Sequence, residues 1–211
     1  MTTTQKKELI HAELAIGVAI VLQSLIAPEL SIGPKWTIVV LELVLAAGIG
    51  IVAFWQKDIS KLFRRWLAIT LIAVVTLVNI SSLILVSSDL INGTTLAGKT
   101  LIFTALAIFL TNIIMFGLWY WEIDSPGLTG HHQSDSEQHF LFPQMDRKQT
   151  AHSWQPTFFD YLYVSVTNAT AFSPTDTMPL THTIKALMSL QAIVSLLTVA
   201  LVAARAVNIL G

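Results

Sequence analysis

The sequence predicts an all-α integral membrane protein built from five transmembrane helices and one re-entrant helix, and three observations carry that prediction. Charged residues make up 12% of the 211 positions and hydrophobic residues 54%. An ordinary soluble domain carries about 25% charge. Five segments, roughly 10–27, 36–55, 66–88, 99–121 and 183–208, have the length and apolarity of a bilayer crossing, which takes about 20 residues. Trp36, Trp55, Trp66, Trp119, Tyr120 and Trp121 stand at the ends of those segments, where amphipathic rings favour the headgroup layer.

The first segment follows Lys6 and Lys7 as a signal peptide would, but it contains Glu13 and lacks a small-x-small cleavage site. It therefore reads as a retained span. The second carries Glu42 about two turns inside and an Ala46-x-x-x-Gly50 face that suits close packing. Asn79 in the third and Asn112 in the fourth are expected to hydrogen-bond between helices. Short polar links join the first four spans. A long polar stretch, 122–155, then holds Pro126, Gly127, Gly130 and Pro143 and reads as a loop with at most a short helix. The organisation is an N-terminal three-helix region, 1–98, and a second module, 99–211.

Residues 157–170, TFFDYLYVSVTNAT, are too few to cross a bilayer and too apolar to rest in water. A half-crossing helix fits both facts, and so does an amphipathic connector lying along the interface. The following AFSPTDTMP opposes helix formation with two prolines. If that run lies at membrane depth, it lines water, because unpaired backbone is tolerated there only inside protein or against a wet cavity.

Residues Ser165 to Thr181 resemble the pore helix, selectivity filter and post-filter turn of two-helix potassium channels. Aligned without gaps on S-V-x-x-A-T-T-V-G-Y-G-D-x-x-P-x-T, the chain keeps Ser165, Val166, Ala169, Thr170, Asp176, Pro179 and Thr181. It is also similar to bacterial membrane proteins with a degenerate pore-like segment. The resemblance implies a multi-pass protein of the plasma (inner) membrane that assembles as a homotetramer around an ion path. The filter itself departs from the family, with Ala171-Phe172-Ser173-Pro174-Thr175 in place of T-V-G-Y-G. Family glycines let carbonyls point inward in place of potassium's hydration shell. Serine and threonine take positive φ at a cost, and Pro174 fixes φ near −65°. The implied mouth is wider, lined by Thr170, Ser173 and Thr175 with an acidic ring at Asp176, and passes monovalent cations with weak selectivity. The alternative is that Thr175 and Asp176 merely cap the turn into the last span.

On that span Gln191, Ser195, Thr198, Val202 and Arg205 fall within one stripe roughly 80° wide. A polar stripe in a bilayer faces protein or water. The resemblance makes it cavity-lining, with Ser195 at the family's hinge glycine. Hydrogen bonding between helices accounts for it equally. Arg205 would repel cations at an inner mouth, whereas near the chain end its long side chain reaches the interface.

Other chemistry is sparse. Glu42 is a candidate for proton or cation handling, and Glu13 is close enough to the surface to stay wet. His131, His132, Asp135, Glu137 and His139 offer metal-ligand types in a loop without a scaffold, and a solvated loop is the expectation. There is no cysteine. No nucleophile, phosphate-loop or cofactor motif occurs, so neither an enzyme nor a cofactor is expected. The net charge of −1 gives no footprint for nucleic acid. The expected partners are lipid, monovalent ions and further copies of the chain. With five spans, nine Lys and Arg share a side with the N-terminus and the filter-like turn, against three on the other. The charge rule puts that side in the cytoplasm, whereas potassium channels hold the filter outside, so orientation stays open. Two other readings remain: a non-conducting scaffold or partner-binding subunit, and a proton-coupled carrier using Glu42.

Overall fold

A computed structural model describes residues 3–26, 28–31, 35–54, 58–92, 97–124, 138–145, 154–173 and 176–210, with the side chains of 3–6, 35, 50–54, 58–62, 64 and 205–210 outside the description. Six helices follow in order: α1 (Thr3–Ser24), α2 (Lys35–Phe54), α3 (Asp58–Asn92), α4 (Gly98–Asp124), α5 (Phe158–Ala171) and α6 (His182–Leu210). Two short strands, β1 (Phe140–Leu141) and β2 (Met178–Pro179), and a 3-10 turn at Pro28–Leu30 are the other regular elements among the described residues. Among the described residues three helices are long and apolar enough to cross a bilayer, over Arg65–Asn92, Gly98–Asp124 and His182–Ala204. At 1.5 Å per residue the 27 residues of α4 extend about 40 Å, against about 30 Å of hydrocarbon. In α2 the described apolar stretch is shorter, Trp36–Ile49. Glu8, His11 and Glu13 dilute the apolarity of α1.

The long helices run antiparallel, and buried amides fasten them. Gln23 of α1 donates to Val75 O of α3 at 2.9 Å. Asn79 of α3 donates to Ile108 O of α4 at 3.0 Å, the interhelical role expected of it. One core draws on both halves of the chain, with Leu9, Ile16, Leu71 and Val75 in the same cluster as Met115, Phe116, Tyr161 and Ile184. Residue 98 therefore divides the sequence without dividing the core. The outer surface is apolar, as Leu14, Val18, Val40, Val44, Leu77, Leu106 and Ile193 illustrate; contiguous exposed apolar surface marks contact with lipid or protein.

The aromatic residues split. Trp36, near the start of α2, and Trp66, at the start of the apolar stretch Arg65–Asn92 of α3, are exposed. The cluster closing α4 is not. Tyr120 and Trp121 are buried, and Trp119 donates through Nε1 to Thr76 Oγ1 at 3.1 Å. These three rings face protein, because α3 and α5 pack against that end of α4. Trp55 lies outside the described residues.

Asp124, the last residue of α4, organises one end of the bundle. Its Oδ1 accepts the backbone N–H groups of His139 at 2.6 Å and Phe140 at 3.0 Å, and its Oδ2 accepts the Tyr161 hydroxyl at 2.5 Å. Beside it β1 pairs antiparallel with β2, Phe140 opposite Pro179 and Leu141 opposite Met178. Leu180 N–H donates to His139 O at 2.8 Å, and His139 Nδ1 lies 2.9 Å from Thr181 Oγ1. Where a loop with at most a short helix was expected, the described part of 122–155 supplies a strand and a turn closed by Met145 N–H on Phe142 O, 3.0 Å. Phe140, Phe142 and Tyr161 stack edge to face above this end. Lys7, Arg65 and Lys185 share it, and Lys99 lies at the other. Replacing the carboxylate by an amide removes one of the three acceptor contacts and the charge assistance of the others. Asp124→Asn is expected to cost about 1–2 kcal/mol, measured as a lower unfolding midpoint in detergent.

Candidate functional site

The site is the hairpin formed by α5 and the turn after it. At the start of α5, Asp160 Oδ2 accepts both the N–H and the hydroxyl of Thr157 at 2.7 Å. Glu8 Oε2, from α1, accepts the N–H of Phe158 at 2.9 Å. Two carboxylates thus sit against the positive end of the helix dipole, where negative charge is stabilising. Phe158, Tyr161, Val164, Ser165, Asn168 and Ala169 form the buried face, at the spacing of one side of a helix. Close approach to α4 is permitted by Gly117: a Cβ there would lie 3.2 Å from the Leu162 Cα and 3.3 Å from its Cδ1.

Four polar side chains hold α5 between α4 and α6. Gln191 Oε1 accepts from the Tyr120 hydroxyl at 2.6 Å and from Asn168 Nδ2 at 2.8 Å. Gln191 Nε2 donates to Ser165 O at 3.0 Å and Ser165 Oγ at 2.6 Å, and Ser165 Oγ donates onward to Ile113 O at 2.6 Å. Asn168 Nδ2 also donates to Met188 O at 2.9 Å. One turn along, Asn112 Nδ2 donates to Ser195 Oγ at 2.9 Å, the interhelical bond expected of Asn112. Every donor and acceptor of the Gln191 amide is satisfied, which is what an amide buried at this depth requires.

For the stripe on α6 this arrangement favours hydrogen bonding between helices, the alternative to cavity lining. Gln191, Ser195 and Thr198 are buried within a single copy. Their polar groups go to Tyr120, Asn168, Ser165 and Asn112, while Thr198 donates to Val194 O at 2.7 Å. Val202 is half-buried and lines a small apolar crevice with Leu101, Ala105 and Val86. The Arg205 side chain lies outside the described residues. The open face of α6 is apolar, with Leu190, Ile193 and Leu197.

The filter-like residues lie at the tip. Thr170 and Ala171 are exposed, and the Thr170 hydroxyl donates to Val166 O at 2.8 Å. Phe172 ends the helix at φ 52°, ψ 33°, the single positive φ outside glycine among the described residues. Ser173 is half-buried and Asp176 exposed on the returning chain. Pro174 and Thr175 lie outside the described residues. The 14 residues of α5 extend about 21 Å, so the tip lies about halfway along α4. By Met178 the chain is back at the end where α5 began.

Tyr120, Asn168, Gly117 and Asp124 were not picked out by sequence reasoning as parts of this site. The signal available for β1 was the apolar island Phe140-Leu141-Phe142 inside a polar loop. Of the His-rich loop, His139 is described and held by Asp124 and Thr181, while His131, His132, Asp135 and Glu137 lie outside the description. Among the described residues no three His, Asp or Glu side chains are grouped as metal ligands would be.

Glu42 stands apart, buried on α2 with neither carboxyl oxygen hydrogen-bonded. A buried polar group without a partner contributes only its desolvation cost. Glu42→Met, similar in length, is expected to raise the unfolding midpoint, by about 1 kcal/mol of stability. A loss of fold would instead reveal a partner for the carboxyl.

No protein-family model, curated protein or solved structure matches the chain.

Proposed function

We propose that this chain is the subunit of a homotetrameric ion channel, multi-pass in the plasma membrane, weakly selective for cations. In this reading α1 and α2 complete a set of five spans, α5 is a re-entrant pore helix and Thr170 to Asp176 form the mouth. One observation carries it: α5 stops about halfway along the bundle with Thr170, Ala171 and Phe172 exposed, and the chain then returns to its starting end. The last carbonyls of a helix have no intrahelical partner, and at that depth they require protein or water rather than lipid. Further copies of the chain supply the protein, and a shared axis the water. The negative ends of four α5 dipoles, each about half a charge, favour cations there. Below the mouth the exposed apolar side chains further along α6, Leu197 and Val199 among them, line the path.

A second reading is favoured by a different observation. The polar stripe of α6 is hydrogen-bonded within one copy, which suits a non-conducting scaffold or partner-binding subunit that keeps the hairpin as structure. Particle images of the purified full chain viewed along the membrane normal separate the two. Fourfold rings, with cation flux in liposomes and a weakened cation preference in Asp176→Asn, are expected. A monomer or dimer leaves no fourfold conduit, and absence of flux in both proteins at every voltage and pH would leave the scaffold.

A further inference from the structure

Phe172 joins three properties that no other described residue combines. It adopts the left-handed conformation, φ 52° and ψ 33°, which costs a bulky side chain what it would not cost glycine. It terminates α5 at the tip of the hairpin, about halfway along α4. Its ring is 50% exposed in a single copy, although the surrounding turn has α4 and α6 within reach of its neighbours Asn168 and Ala169, both buried.

As a helix terminator alone, this position calls for glycine, which takes positive φ without strain. A large apolar ring held there in a strained backbone is explained by what the ring does. Strained conformations persist where the surrounding structure over-determines them, and they cluster at functional sites. Tyr120, Asn168 and Gln191 beside it turn inward and close on one another. The Phe172 ring stays half exposed in the single copy.

Resting on the channel reading above, we infer that Phe172 is the constriction of the conduit: four rings meet near the axis and close it as a hydrophobic gate. An apolar narrowing excludes ions by losing its water rather than by charge. Gating then consists of moving the tips of α5 apart, and Asp176, further out, sets ion preference without setting the open probability.

The test uses potassium efflux from liposomes holding the full chain, with wild type, Phe172→Gly and Phe172→Leu compared. Phe172→Gly removes the ring and also relieves the backbone, so its unfolding midpoint is expected to equal or exceed that of wild type. Its efflux rate is expected to rise at least about tenfold. Phe172→Leu keeps apolar bulk and is expected to stay within about twofold of wild type. Equal efflux from wild type and Phe172→Gly, with wild type conducting, overturns the constriction and leaves the channel standing. Silence in all three proteins overturns both.

Discussion

Gln191→Met is expected to lower the stability of the folded chain by about 2–3 kcal/mol, read as unfolding in detergent or bicelles. Methionine has the length and flexibility of glutamine, so packing is kept and the hydrogen bonds alone are lost. Four bonds leave with the amide, to Tyr120, Asn168 and the main chain and hydroxyl of Ser165. Interhelical hydrogen bonds in membranes average only about 0.6 kcal/mol each, and four of them account for most of the expected loss. The remainder comes from the Tyr120 hydroxyl, which is fully buried and loses its acceptor. Asn168 and Ser165 keep partners in Met188 O and Ile113 O, so they add little. Because the groups share one network, effects do not add. Tyr120→Phe alone is expected to cost about 1 kcal/mol, and the double variant less than the sum of the two by about that amount. A Gln191→Met loss under about 0.5 kcal/mol, or strict additivity with Tyr120→Phe, would show that the network does not hold α5 in place.

The same residues show what the sequence discloses and where it stops. Helices α3, α4 and α6 were legible because apolar length is a one-dimensional property. So was the role of Asn79 and Asn112, since an amide inside a span has few choices besides another helix. Periodicity placed Gln191, Ser195 and Thr198 on one face of α6, and they do share one. It could not say what that face meets. The answer lies in Ser165 and Asn168, which present matching groups from α5, and a pattern on one helix carries no information about its complement on another. Tyr120 was misassigned for a related reason. Its place near the end of a span suggested the interface, yet helical side chains lean back toward the helix N-terminus, and its hydroxyl reaches Gln191 inside the bundle. The strand pair and the Asp124 junction depend on contacts across 15 to 39 residues, which local pattern cannot register.

Gly117 gave no sequence signal at all, and its replacement is expected to have the largest effect on the hairpin. Gly117→Ala faces two opposing terms. Alanine is the better helix former by about 1 kcal/mol, while its Cβ would press on the Leu162 backbone at 3.2 Å, a contact relieved only by moving α5. The two nearly cancel, and a change within about 1 kcal/mol is expected. Gly117→Val adds two further methyl groups and forgoes most of the helix-propensity gain. A contact against Cα and N of Leu162 is not relieved by a rotamer change, so α5 must shift as a body and stretch the Ser165 to Ile113 bond. Overpacking of this kind costs about 1–3 kcal/mol, occasionally more, and about 3 kcal/mol is expected here. Adding Leu162→Ala removes the Cδ1 clash at 3.3 Å but leaves the backbone contact, so it is expected to restore less than half of the loss. Full rescue by Leu162→Ala, or tolerance of valine within about 0.5 kcal/mol, would mean that α5 does not lie against α4 at this distance, and the tip at Phe172 would no longer be fixed halfway along the bundle.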